Sequence, residues 1–150
     1  MNQDKIMKRR MITAIVLMLI CLIALLVFIG LYVDETKRVQ EVYRTQYKTE
    51  LRHVVEEIDI YLEPEGDDDL VYRRVCSYMS NAGAFAFLIE DFSEKQILIN
   101  QISTALIKYP VQMQPKLEEL KQAINDILAE LDKGYTELDE LFQSIELKGN

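Results

Sequence analysis

Few side chains in this sequence could do chemistry. His53 is the single histidine. A general base or a metal ligand needs partners, and no second histidine exists to build a zinc site. In the heptad of its segment His53 falls at position c, on the solvated side, which predicts an exposed polar residue. Cys76 is the one cysteine outside the apolar run Met11–Val33, which itself holds Cys21. A lone thiol of this kind makes no internal disulfide with a soluble partner and reads as a small buried hydrophobe. Glu63, Glu65, Asp67, Asp68 and Asp69 cluster, but the spacing of a calcium loop is absent. Acidic residues there suit the start of a helix, where backbone N–H groups and the helix dipole favour negative charge. Gly-rich phosphate loops, nucleophile elbows and catalytic carboxylate pairs are missing from the sequence. The expectation is a protein that is not an enzyme, with no catalytic residue, cofactor or metal.

The elements that carry these residues are of two materials. The chain has 150 residues, 17 Lys and Arg against 25 Asp and Glu, a formal charge of −8, and is 49% hydrophobic. Residues 11–33 contain no charged residue, and 21 of the 23 are apolar, Thr13 and Gly30 being the exceptions. The first ten residues carry +3, and residues 34–150 carry 13 basic and 24 acidic side chains, or −11. An acidic remainder argues against nucleic-acid binding, which needs Lys and Arg to neutralise phosphates.

A bilayer core about 30 Å thick takes roughly 20 helical residues. Residues 11–33 are therefore expected to be a transmembrane signal anchor in contact with lipid. A cleaved signal peptide has a shorter apolar region and a small-residue cleavage site, and the Gly30-Leu31-Tyr32-Val33-Asp34 junction offers none. A lipoprotein would place a small residue before the cysteine, where Ile20 stands. A pilin would need Gly and Glu where Arg10 and Ile15 stand. Lys8, Arg9 and Arg10 abut one end of the run. By the bias of basic residues toward the cytosol, residues 1–10 are expected to be a short cytosolic tail and residues 34–150 an extracytoplasmic domain at the cell membrane.

The rest of the chain reads as helices: an all-α fold, one transmembrane helix followed by an antiparallel bundle of three or four helices. Tyr47, Leu51, Val54, Ile58 and Tyr61 follow a 4-3-4-3 spacing, which marks one apolar helix face. Glu63-Pro64-Glu65-Gly66 ends that segment. Val71, Val75, Tyr78, Ala82, Phe85, Ile89 and Phe92 form a second stripe, with Phe87 and Leu88 off it. The small residues Ser80 to Ala84 suit a close approach to a neighbouring helix, a kink or a ligand cavity, which sequence alone does not separate. Ser93-Glu94-Lys95-Gln96 matches a capping box, so either a new helix opens there or the second helix runs on through it, with Ile97, Leu98, Ile102, Ala105, Leu106 and Tyr109 on the core side. From Pro115 on, Leu117, Leu120, Ile124, Ile127, Leu131, Leu138, Leu141 and Ile145 keep heptad a and d phase. Leu128, Tyr135 and Phe142 add an e position, a face too wide for a two-stranded coiled coil and suited to a bundle. The phase survives Gly134, which favours one continuous helix across it over the alternative in which Lys133-Gly134 caps one helix and Thr136-x-x-Asp139 opens another. The expected core is Leu51, Val54, Ile58, Phe85, Ile89, Leu120, Ile124, Ile127, Leu131 and Leu138.

With no catalytic set, the pattern points to protein–protein interaction or scaffolding at the membrane. Phe87 and Leu88 are the expected interaction surface, and a protein partner or a second copy of the chain the expected occupant. The rival is an accessory sensory or ligand-binding bundle that works with a separate signalling protein.

Overall fold

The structure, a computed structural model, describes residues 2–63 and 68–145. All regular structure among them is helical: α1 (Asn2–Leu62), α2 (Asp68–Leu88), α3 (Ser93–Lys108), α4 (Pro110–Met113), a 3-10 turn at Gln114–Lys116, α5 (Leu117–Ala129) and α6 (Tyr135–Gln143). The chain divides into two units, residues 1–39 and 40–150.

The first unit is the N-terminal part of α1. It is long and apolar enough to cross a membrane, and the side chains of residues 11–33 are exposed throughout. A helix in a bilayer must satisfy its polar groups internally. Besides Tyr32 near its far end, the hydroxyl-bearing residue of the apolar run is Thr13, near its start, which donates to the Arg9 carbonyl at 2.9 Å. Past the run, Thr36 donates to the Tyr32 carbonyl at 2.9 Å, and Arg38 pairs with Glu35 at 2.7 Å.

The second unit has a single core. From α1 it takes Tyr47, Leu51, Val54 and Ile58, all fully buried, so the 4-3-4 spacing is an inward face. Opposite them lie Val75, Met79, Ala82 and Ala86 of α2, Ile99, Ile102 and Leu106 of α3, and Leu117, Leu120, Ile124 and Ile127 of α5. Leu138 and Leu141 of α6 close the cluster. Ile89, between α2 and α3, is buried as well, whereas Phe85 and Leu131 sit half-buried at the margin.

The inward side of α2 is rotated from its sequence stripe. Val71, Tyr72, Val75, Met79, Ala82, Gly83 and Ala86 are buried, while Tyr78 and Phe85 lie on the edge. The reason is size. Small residues at 82, 83 and 86 let α3 come close, and a Cβ on Gly83 would stand 2.6 Å from Asn100 Oδ1 and 3.8 Å from Ile99 Cγ2. A Phe ring has no room on that line. The small-residue run thus marks close approach, and α2 continues through it as one helix.

Three expectations are corrected. The segment from Pro115 is not one helix: α5 stops at Ala129, and α6 starts after Gly134, whose φ of 80° is left-handed. Heptad phase persists across the break because α6 folds back on α5 and both feed the same core. Second, α3 does begin at Ser93, but its cap is Phe92 and no side chain caps it. The turn before it is made by Asp91, at φ 59°, a conformation that Asp tolerates better than most residues. Third, Ile97 is 55% exposed and Ile99 is buried in its place. Leu98, Ile99, Ile102, Ala105 and Leu106 occupy one continuous arc of α3, and Ile97 projects beside that arc.

The two tight glycines separate by what blocks them. At Gly134 an added Cβ would run into the Ala123 carbonyl oxygen and stand 2.9 Å from Ile127 Cγ1, on a left-handed backbone. At Gly83 the obstacle is the end of one exposed, movable side chain. Gly134→Ala is expected to cost about 2 kcal/mol or more. Gly83→Ala, which gains helix propensity, should stay within about 1 kcal/mol of wild type. Thermal unfolding followed by circular dichroism distinguishes the two.

Candidate interaction sites

The most densely connected polar group joins residues far apart in sequence. Tyr47 on α1 and Tyr135 on α6 place their hydroxyls 3.0 Å apart, within hydrogen-bond reach, with Tyr47 fully buried. Phe92, which caps α3, sets its ring edge-on to both, with centroids at 5.4 Å and 6.0 Å. Such aromatic pairs contribute about 0.5–1.5 kcal/mol beyond their buried area. Lys95, one turn into α3, holds its ammonium 4.9 Å from the Phe92 ring centre and 5.2 Å from that of Tyr135. The same ammonium donates to the Leu131 carbonyl and pairs with Asp132. The α5–α6 turn is thereby tied to α3. The hydrogen bond and charge of Lys95 hold the Asp132 carboxyl below its ordinary value.

Burial, with the neighbouring hydroxyl second, pushes the Tyr47 hydroxyl well above the usual tyrosine range. Burial also raises Tyr135. Tyr72 is raised by burial first and donates to the Leu106 carbonyl at 2.8 Å. Burial raises the thiol of the half-buried Cys76 as well, which keeps it protonated. This is the environment of a packing residue and not of an activated nucleophile.

The other sequence candidates are dispersed. His53 lies at an intermediate position, with Nδ1 3.1 Å from Glu56 Oε2 and its ring 5.0 Å from that of Tyr78. Asp68 and Asp69 occupy the first turn of α2 and Glu63 follows α1, while Glu65 and Asp67 lie outside the described residues. Among the described residues no group of three His, Cys, Asp or Glu side chains is placed to hold a metal. Glu57 is the buried carboxylate, 3.0 Å from Arg74 Nε but off the hydrogen-bond direction.

Phe87 and Leu88 end α2 with 70% and 42% of their surface exposed. Gln40 holds the turn that follows. Its amide donates to the Leu88 carbonyl at 3.2 Å, and its carbonyl accepts from Glu90 N–H at 2.9 Å. The pair therefore stands on a fixed support. Two open grooves, absent from any sequence pattern, flank α6 on its α3 side. One, of about 420 Å³, is lined by Ile97, Thr104, Ala105, Lys108, Tyr109 and Phe142 among others. The second, of about 430 Å³, shares Ile97 and Gln101 with it and reaches Glu94, Lys95, Asp132 and Asp139. The exposed Ile97 was the available signal, and its place within an apolar run concealed it. No family model matches the chain, and no curated protein or solved structure was found to be similar to it.

The raised tyrosines set an alkaline limit. A hydroxyl whose folded pKa exceeds its unfolded value of about 10 contributes stability that is complete below that pH and is lost as pH rises toward the folded pKa. The melting temperature is expected to be flat from about pH 7 to 9 and to fall above about pH 10. In the double variant Tyr47→Phe, Tyr135→Phe the fall should be shallower. Melting at stepped pH, with tyrosinate absorbance recorded alongside, checks both.

Proposed function

We propose that this chain is a single-pass membrane-anchored helical protein that works by protein–protein contact, as an interaction or scaffolding module. The exposed pair Phe87–Leu88 carries the reading. It is a large apolar surface at the end of a helix whose other side is packed, and the Gln40 bonds hold it in place. Burying such a pair against a partner removes apolar area at about 25 cal/mol per Å². Singly scattered apolar residues need no explanation, but adjacent ones on a fixed support favour contact.

The residues 11–33 anchor the chain in lipid, and the second unit is an up-and-down bundle. In support, contacts between α1 and α2 run in opposite order along the two helices: Tyr61 meets Tyr72, His53 meets Tyr78, Glu50 meets Asn81, and Gln40 meets Leu88. Lys8, Arg9 and Arg10 favour a cytosolic N-terminus, with the bundle on the extracytoplasmic side. The module has no catalytic role of its own.

The double change Phe87→Asp, Leu88→Asp in the full chain tests this reading. Both positions are exposed, so the melting temperature should move little. Proximity labelling in native membranes should lose at least one neighbour labelled by the wild type. An unchanged set of neighbours with the fold intact would refute Phe87–Leu88 as the contact surface. The same experiment reports which side of the membrane carries the domain.

A further inference from the structure

We propose that the groove between α3 and α6 docks an amphipathic helix of a partner protein, basic in its N-terminal half and lying parallel to α3. The proposal rests on the chain's being an interaction module, but not on the Phe87–Leu88 surface.

Shape comes first. The two grooves share Ile97 and Gln101 and so form one trough along α3, from Glu94 to Lys108. Fourteen residues of helix rise about 21 Å, enough for some four turns of a bound helix. Ile97, Ala105, Tyr109 and Phe142 supply apolar lining along it, which is what a helix presenting residues at i, i+3, i+4 and i+7 needs. Ile97 is more than half exposed within the trough and is its most exposed apolar lining residue.

Charge selects the occupant and its direction. At one end the trough carries Glu94 and Asp139, neither of which has an ion-pair partner among the described residues. Asp139 accepts only from the neutral amide of Gln143, at 2.7 Å. Lys95, the cation lining that end, is taken up by Asp132. On the far flank of α6, Glu119, Asp126, Glu137 and Glu140 outnumber Lys116, and residues 34–150 sum to −11. At the other end of the trough the lining charge is Lys108. A bound helix with lysines or arginines in its first turns meets Glu94 and Asp139, as does the positive end of its dipole. Its negative end then meets Lys108. A second copy of the chain fits poorly, because it brings the same acidic surface to an acidic surface.

The test uses the full chain in nanodiscs of phosphatidylcholine, with empty nanodiscs subtracted. The probe is an amidated 15-residue helical peptide with a leucine stripe, lysines in its N-terminal half and a central photocrosslinker. Binding is read by fluorescence anisotropy and crosslinks are mapped by mass spectrometry. Crosslinks should fall on α3 and α6 residues of the trough. Ile97→Asp and Asp139→Lys should each weaken binding about tenfold. Both residues are exposed, so circular dichroism should show each variant folded, and the two changes test the apolar and charged contributions separately. A peptide with the lysines moved to its C-terminal half should bind more weakly. The Phe87→Asp, Leu88→Asp variant should bind as wild type, which separates this trough from the other surface. Equal binding of a scrambled peptide that lacks the stripe would overturn the proposal. So would insensitivity to both Ile97→Asp and Asp139→Lys, or chain-to-chain crosslinks through the trough in place of peptide crosslinks.

Discussion

The joint at Tyr47, Phe92, Lys95 and Tyr135 is the constraint on which the rest of the second unit depends. It brings α1, the cap of α3 and the start of α6 to one place. Aromatic edges and a cation over two rings are directional contacts, unlike the apolar packing around them. The core alone would accept α6 at several rotations, since Leu138 and Leu141 need only reach the interior. With Tyr135 bonded to Tyr47 and Lys95 tied to Asp132, one rotation is selected. That choice sets the width of the trough between α3 and α6 and leaves Ile97 in it.

Close approach of α2 to α3 is the second constraint, and it follows from side-chain volume. Interiors pack near crystal density, so a helix face of Ala82, Gly83 and Ala86 either draws its neighbour in or leaves voids. Here Ile99 and Asn100 come in against Gly83. Phe85 is displaced to the margin, and Phe87 and Leu88 are left outside, just before a turn braced by Gln40. The exposed pair and the buried seam are thus two results of one packing decision. Polar brackets complete the unit at its rim, where Lys121 bridges Asp59 of α1 and Glu118 of α5 at 3.0 Å and 3.1 Å. Pairs this exposed contribute roughly 0–1 kcal/mol, so they trim the register and do not hold the fold.

Sites of chemistry and sites of contact separate clearly. Tyr47, Tyr72, Tyr135, Cys76 and Glu57 are all engaged in packing or pairing, and burial favours the neutral forms of those three hydroxyls and the thiol. Among the apolar side chains that face solvent in the second unit are Phe87, Leu88 and Ile97, together with Leu70, Ile107 and Val111. The polar groups of the second unit help to specify one arrangement, and acidic side chains surround α6.

The sequence by itself determined whatever depends on local period and composition. Helical structure, the apolar run long enough for a membrane, and the inward face of α1 at Leu51, Val54 and Ile58 all follow from spacings of three and four and from the absence of charge. So do most of the a and d positions of α5 and α6, because each helix buries its own stripe whatever its neighbour. Tertiary structure decided everything that needed a second element. Heptad phase cannot report the break at Gly134, since a helix that folds back keeps the same residues inward. Phe85 and Ile97 were apolar on sequence grounds, yet Phe85 sits at the core margin and Ile97 lies outward, because the adjacent positions fit their neighbours better. The joint of Tyr47 with Tyr135 spans 88 positions, and no local pattern encodes a hydrogen bond between residues that only the folded chain brings together.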